Sequence, residues 1–128
     1  MQVTIEKYPL QQESYEMIGI CMEIHRILGK GFAEIVYKDA LSYELRSKGI
    51  PFEREKEYQV EYKKIILPHR FYADFVIFDK IILEVKAQKG IAEEQYAQVL
   101  NYLAVSGCKL GLLVNFGEGS LVVKRVVL

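Results

Sequence analysis

The stretch from Phe71 to Ala87, FYADFVIFDKIILEVKA, constrains this chain more than any other. Arg70–Phe78 and Ile81–Ala87 are two apolar runs of strand length, separated by Asp79 and Lys80, and they read as a central hairpin. Both runs carry apolar residues on both faces, so the sheet they belong to requires helices on two sides. Within the same runs stand Asp74, Glu84 and Lys86. Strands disfavour Asp, and to a lesser degree Glu and Lys. Side chains of these types are rarely buried unless they are paired or bind a metal. Whatever else the chain does, it must account for two carboxylates and an ammonium at its centre.

The flanking sequence supplies the cover. Residues 12–28 predict a helix, with Ile18, Cys21, Met22, His25 and Leu28 on one face and Ile20, Ile24 and Ile27 on another. His25 on that apolar stripe reads as a packing residue with a satisfied ring. Gly29, Lys30 and Gly31 end the helix. A second helix is expected over 32–49, with Glu34, Tyr37, Leu41 and Leu45 as its inward stripe. From Phe52 the period drops to two, with Tyr58, Val60 and Tyr62 alternating with polar residues. Lys63 and Lys64 turn this strand, residues 65–67 continue or pair it, and Pro68 is expected to break it. A third helix is expected over 92–105, presenting Gln98 and Tyr102 one turn apart on one face. A buried strand over 110–116, a turn at 117–119 and a final strand over 121–128 complete the chain. The reading is an α/β fold: a sheet of about five strands flanked by helices, in the order α-α-β-β-β-α-β-β.

Composition narrows the class. The chain has 128 residues, a length best suited to one domain spanning 1–128. Half of the residues, 51%, are hydrophobic, which excludes disorder. No apolar run reaches the ~18 residues of a membrane span, and the opening MQVTIEKYPL is unlike a signal peptide, so a cytoplasmic location without a membrane partner is expected. Cys21 and Cys108 lack CxxC spacing and read as reduced packing residues. Seventeen basic residues balance seventeen acidic ones. That balance counts against indiscriminate binding to phosphate, although Lys63, Lys64, His69, Arg70 and Lys89 offer a local basic patch. Lysines on an edge strand also guard against aggregation, so charge alone decides nothing.

Hydrolysing a phosphodiester requires neutralising a highly charged transition state and deprotonating water, and a divalent cation held by carboxylates meets both needs. Magnesium takes oxygen ligands and keeps several waters, so one or two carboxylates suffice. Asp74 and Glu84 supply two, and the backbone carbonyl of Val85 a third oxygen. Lys86, two residues beyond Glu84, emerges on the same face of its strand and can orient water or stabilise developing charge. Glu34 could join as an outer ligand, and Gln98 could orient water. The alternative for Glu34 is a carboxylate placed against the helix macrodipole. The alternative for the hairpin charges is a self-satisfying buried ion pair.

A shared ion makes one geometric demand. A two-residue turn at Asp79-Lys80 would put Asp74 opposite Val85, on the wrong face. The expected offset sets Asp74 opposite Lys86 and Val76 opposite Glu84, through a three-residue loop, Asp79 to Ile81, or a bulge.

Asp74 followed on the next strand by Glu84-Val85-Lys86 resembles the PD-(D/E)xK nuclease signature. Gly31-Phe32-Ala33-Glu34-Ile35-Val36-Tyr37 is similar to the G-x-x-E-x-x-Y motif of the GxxExxY family within that superfamily. Gln98-x-x-x-Tyr102 resembles the Q-x-x-x-Y element of RecB-like nucleases, and the likeness extends through His25-Arg26, Leu28-Gly29, residues 49–53 and Asn115-Phe116. One departure is Ala73 before Asp74, where the signature has Pro. The resemblance implies a restriction-endonuclease-like core, with Asp74, Glu84 and Val85 at a magnesium ion (manganese as a substitute). It implies catalytic roles for Lys86, Glu34 and Gln98, with Tyr37 and Tyr102 in support. The leading expectation is a metal-dependent nuclease acting on nucleic acid, DNA ahead of RNA, with a homodimer left open. The alternative is a nuclease-like fold that binds nucleic acid or a protein without turnover.

Overall fold

The computed structural model of the protein describes residues 10–128; the expectation about a leader falls largely on residues 1–9 and to that extent lies outside them. The described chain forms α1 (Gln11–Leu28), α2 (Glu34–Ser47), β1 (Phe52–Tyr62), β2 (Ile65–Ile77), β3 (Ile81–Lys86), α3 (Glu93–Ser106), β4 (Leu110–Asn115) and β5 (Val122–Val126). This is the expected order. The strands make one sheet in sequence order, β1 through β5. Only β3 and β4 run parallel, and α3 is the crossover which that pairing requires. Among the described residues no helix is long and apolar enough to cross a membrane.

Alternation along the central strands divides their side chains between two cores. Phe75, Ile77, Ile81, Leu83, Val85, Leu112 and Val114 pack with α1 and α2. Val76, Ile82 and Leu113 point the other way and pack with Val99, Tyr102 and Leu103 of α3. Helices therefore cover both faces, as the doubly apolar hairpin demanded. On α2, Tyr37, Leu41 and Leu45 are fully buried, as expected.

Four local expectations need correction. On α1 the buried face is Ser14, Met17, Ile20, Cys21 and Ile24, whereas Met22 and Ile27 are exposed. The helix is apolar on more than one side, and only the side meeting the sheet is covered. Helix α2 begins at Glu34, not 32, because Ala33 is extended and the Phe32 N–H is taken by the Tyr37 hydroxyl at 3.3 Å. Its other end is Ser47 rather than residue 49, where Gly49 takes a positive φ of 67°. Pro68 does not end β2. The pairing with β1 instead shifts register between Gln59 and Glu61, and the extra residues of β2, Pro68 among them, are absorbed in that irregularity.

Strands β1 and β2 also change faces part-way along. Phe52 and Phe75 belong to the core under α1 and α2, yet Tyr58, Phe71 and Ala73 belong to the core under α3. A regular strand keeps residues of one parity on one face, so the swap requires a local irregularity. It lies at Glu55, whose φ is +54°, and at Asp74, where neither residue joins the regular ladder. The sheet thus departs from regular pairing at Asp74.

Both cysteines fit their expected role. Cys21 is wholly buried, which pushes its thiol up to about 12, and Cys108 is half-buried and free. His25 is half-buried, with Nε2 2.8 Å from the Glu118 carbonyl and its ring beside Phe116.

Candidate active site

The hairpin of β2 and β3 pairs Phe75 with Leu83, Val76 with Ile82 and Ile77 with Ile81. Its three-residue loop is therefore Phe78–Lys80, not residues 79–81. Phe78 and Asp79 adopt φ of 56° and 57°, and the Lys80 N–H closes the turn on the Ile77 carbonyl at 3.0 Å. Because the turn closes this early, β3 starts with Ile81. Continued by one pair, the register sets Asp74 opposite Glu84, and not opposite Lys86 as expected. The parity is nevertheless the one a shared site needs.

Backbone pairing stops at Phe75, and two carboxylates replace it. The Asp74 N–H donates to Glu84 Oε2 at 2.6 Å, and the Val85 N–H donates to Asp74 Oδ2 at 2.9 Å. Each side chain caps the backbone of the opposite strand. Both are buried, Asp74 at 8% exposure and Glu84 at 2%. One oxygen of each carboxyl takes an N–H of the opposite strand, so the pair is held in place by the strands themselves.

Electrostatics mark this spot. Burial, and then the charge of Asp74, push the Glu84 carboxyl up to about 8; the Asp74 N–H and the Lys86 and Lys38 ammoniums do not offset them. The Tyr102 hydroxyl is also held above its usual range, first by burial and then by the charges of Glu84 and Asp74. Tyr102 is buried on the α3 side of the sheet, edge-on to Phe71. Lys86, at the end of β3, is half-buried and acts on Glu84 through its charge.

Lys38 had not been anticipated. Its ammonium lies 2.8 Å from Asp74 Oδ1 and 2.8 Å from Glu55 Oε1. Burial works to lower its pKa, but the bonds to Asp74 and Glu55 prevail and raise it. One signal could have found it: Lys38 lies four residues after Glu34, on the same side of α2. Glu55 gave none, since its role depends on a left-handed backbone that Glu rarely takes.

Glu34 is half-buried in the first turn of α2, and Gln98 is exposed on α3. Neither forms a hydrogen bond or ion pair with Asp74 or Glu84. Tyr37 holds the loop before α2: its hydroxyl donates to the Gly29 carbonyl at 2.6 Å and its ring stacks on Phe116 at 4.5 Å. That clamp ties the start of α2 to the end of α1.

A second missed group supports the end of β3. The buried Asn115 accepts from the Gln88 and Gly117 N–H groups at 3.1 and 3.0 Å, and donates to the Gln88 carbonyl at 2.9 Å. A Cβ at Gly117 would fall 2.2 Å from the Gln88 nitrogen, so only glycine allows this approach. On α3, Gln95 bonds Gln88 through both of its amide atoms, at 2.8 and 3.1 Å.

A model of the PD-(D/E)XK nuclease superfamily matches residues 11–126, nearly the whole chain. The chain belongs to the PD-(D/E)XK nuclease superfamily. None of the curated proteins matches it. A solved structure described as the crystal structure of SSO0001 is similar in fold: TM-score 0.59, 18% identity, covering 98% of this chain and 69% of that one. Asp74 and Glu84-Val85-Lys86 stand within the matched residues, where the two strands part.

Nucleases of the superfamily generally use divalent metals, and the donor set here fits one. Among the described residues no three His, Cys, Asp or Glu side chains gather to hold an ion by themselves. Two carboxylates with carbonyl oxygen and water suit magnesium or another hard cation, which needs no all-protein cage. A cation at the pair would offset the burial and the Asp74 charge that raise the Glu84 carboxyl.

Proposed function

We propose that the chain is one nuclease domain that hydrolyses phosphodiester bonds of nucleic acid, DNA in preference to RNA, with a divalent cation, magnesium or in its place manganese. The observation that carries this reading is the reciprocal, buried Asp74–Glu84 pair at the point where backbone pairing ends. Asp74, Glu84 and the Val85 carbonyl would hold the ion. When bound, it would supply Lewis-acid neutralisation of phosphate and a lowered pKa for water. Lys86 then stabilises charge developing on phosphate, or orients the attacking water. Glu34 on α2 and Gln98 on α3 would each position water or a ligand. Tyr37 anchors the start of α2, and Tyr102 backs the carboxylates. The Gly31-to-Tyr37 motif supports membership of the GxxExxY family, with a cytoplasmic location.

Cleavage of mixed DNA and RNA in magnesium tests this, with wild type beside Asp74→Ala and Lys86→Ala. Activity should vanish in both variants. Equal activity in all three proteins would trace the cleavage to a contaminant and sink the assignment.

One observation favours a second reading, a nuclease-like fold used for binding alone. Lys38 already neutralises Asp74 at 2.8 Å, as a retired site would allow. Absence of cleavage together with absence of magnesium binding by calorimetry would select it.

A further inference from the structure

We propose that the distal ribbon of β1 and β2, tipped by Lys63 and Lys64, grips the phosphate backbone of a nucleic-acid duplex about seven base pairs away from Asp74 and Glu84. The proposal rests on the reading of the chain as a nuclease and names how it would hold its substrate.

Strand β3 pairs only with Phe75–Ile77 of β2, so residues 65–73 pair with β1 alone. Helix α3 supports the root of this ribbon, where Tyr102 meets Phe71 at 6.0 Å. Beyond the root the ribbon stands in solvent. Three of its large apolar side chains are open there: Tyr62 at 55%, Ile65 at 57% and Ile66 at 48% exposure. Exposed apolar surface at a strand end is usually selected against.

Charge at the tip is mainly positive. Residues 61–70, EYKKIILPHR, hold three Lys or Arg against one carboxylate, Glu61, in a chain whose seventeen basic and seventeen acidic residues balance overall. Arg70 is engaged with the Leu67 carbonyl and lies 3.8 Å from Glu57. Among the described residues neither Lys63 nor Lys64 pairs with a carboxylate. Lys63 Nζ lies over the Tyr62 ring at 5.5 Å, which leaves cation and aromatic surface side by side. Ammoniums without a carboxylate partner suit the phosphate oxygens of a nucleic-acid backbone.

The turn itself argues that the lysines are there for their charge. Lys63 and Lys64 have φ of 49° and 69°, the left-handed pair of a type I′ turn. Asn-Gly fills such a turn without strain, and strain retained at an exposed tip points to function. Edge protection would be served as well by lysines on the strands, beside an unstrained turn.

The ribbon is also continuous with the carboxylates. Residues 67–69 are absorbed in the irregularity, so the span from Ile65 to Asp74 is that of the paired β1 stretch between Tyr62 and Glu55, about 23 Å at a strand's rise. A duplex covers about seven base pairs in that distance. A stiff duplex engaged at both ends would therefore be cut at a set distance from the tip.

Fluorescence polarisation in chelator, without cleavage, tests this. The proteins are wild type, Lys63→Ala/Lys64→Ala and the charge-matched control Lys109→Ala/Lys124→Ala. The probes are a duplex of about 20 base pairs and one of about 6, too short to span the ribbon's reach. The tip variant should bind the long duplex roughly tenfold more weakly, and its plot of log affinity against log salt should be shallower by about 2. The control should match wild type, and the short duplex should not distinguish the three. Equal affinity of the tip variant and wild type for the long duplex overturns the proposal, while magnesium-dependent cleavage by wild type would leave the nuclease reading standing. Failure of wild type to bind either duplex also overturns it. So does a tip variant that binds normally but sediments as a smaller species, which would make the ribbon an interface between copies.

Discussion

Toward its C-terminal end β2 buries Ala73, Phe75, Val76 and Ile77 almost completely and sets one carboxylate, Asp74, among them. Toward its N-terminal end the same strand leaves Ile65 and Ile66 in solvent beside two lysines. Each end holds the residue type its surroundings disfavour. At the buried end the misfit is compensated: Asp74 accepts the Val85 N–H and faces Lys38. At the exposed end nothing in the described structure covers the isoleucines or neutralises the lysines. The contrast separates a site whose groups are held ready from a surface awaiting a partner.

Five substitutions test that difference. The largest effect is expected for Asp74→Ala, which should lower magnesium-dependent cleavage on the order of 10³-fold, read in a single-turnover assay. A loss under tenfold would remove Asp74 from the chemistry. Losing a core side chain at the same end, Ile77→Ala, should cost about 2–5 kcal/mol in urea unfolding. Ile65→Ser at the tip should stay within about 0.5 kcal/mol. If the two costs matched, the two ends would not differ in packing.

Replacing Glu84 by Gln should stabilise the metal-free protein above pH 5 while abolishing metal affinity. The folded carboxyl titrates near 8, against 4.5 for an ordinary one. The folded state therefore keeps a proton that the unfolded state releases. This group's contribution is fully present below pH 4.5 and is lost as pH rises through 8. At pH 8 the gain for Glu84→Gln should be about 2–4 kcal/mol. Urea midpoints that fall equally with pH in both proteins would remove Glu84 as the cause.

Lys38→Met leaves Asp74 without its ammonium and should destabilise by about 3 kcal/mol at pH 7. Magnesium should then restore more stability to the variant than it adds to wild type, since the ion takes over the neutralising role. Equal increments of thermal midpoint in the two proteins would show that Lys38 and the ion act at separate places.

Much of this architecture could be read from the chain directly. The apolar runs at 70–78 and 81–87, the period of two after Phe52 and the stripe of Tyr37, Leu41 and Leu45 located the strands and helices in order. Each signal depends on residues a few positions apart. Pro68 misled because a proline is tolerated where pairing slips, and that slip depends on β1, not on the sequence around Pro68. The buried face of α1 misled because its apolar residues surround the helix, so periodicity alone could not choose a side.

The residues also announced that Asp74, Glu84 and Lys86 would sit on adjacent strands within a core, because such charges conflict with every local preference around them. The required parity of the hairpin followed from chemistry alone. Its actual loop did not, since Phe78 and Asp79 carry no glycine signal for their left-handed backbone. Lys38, Glu55 and the exchange of faces at Asp74 were likewise invisible, since they arise where segments far apart in sequence meet. Local preference could place the carboxylates on the strands. Which N–H each accepts, and which ammonium faces it, was decided by register and packing between those segments.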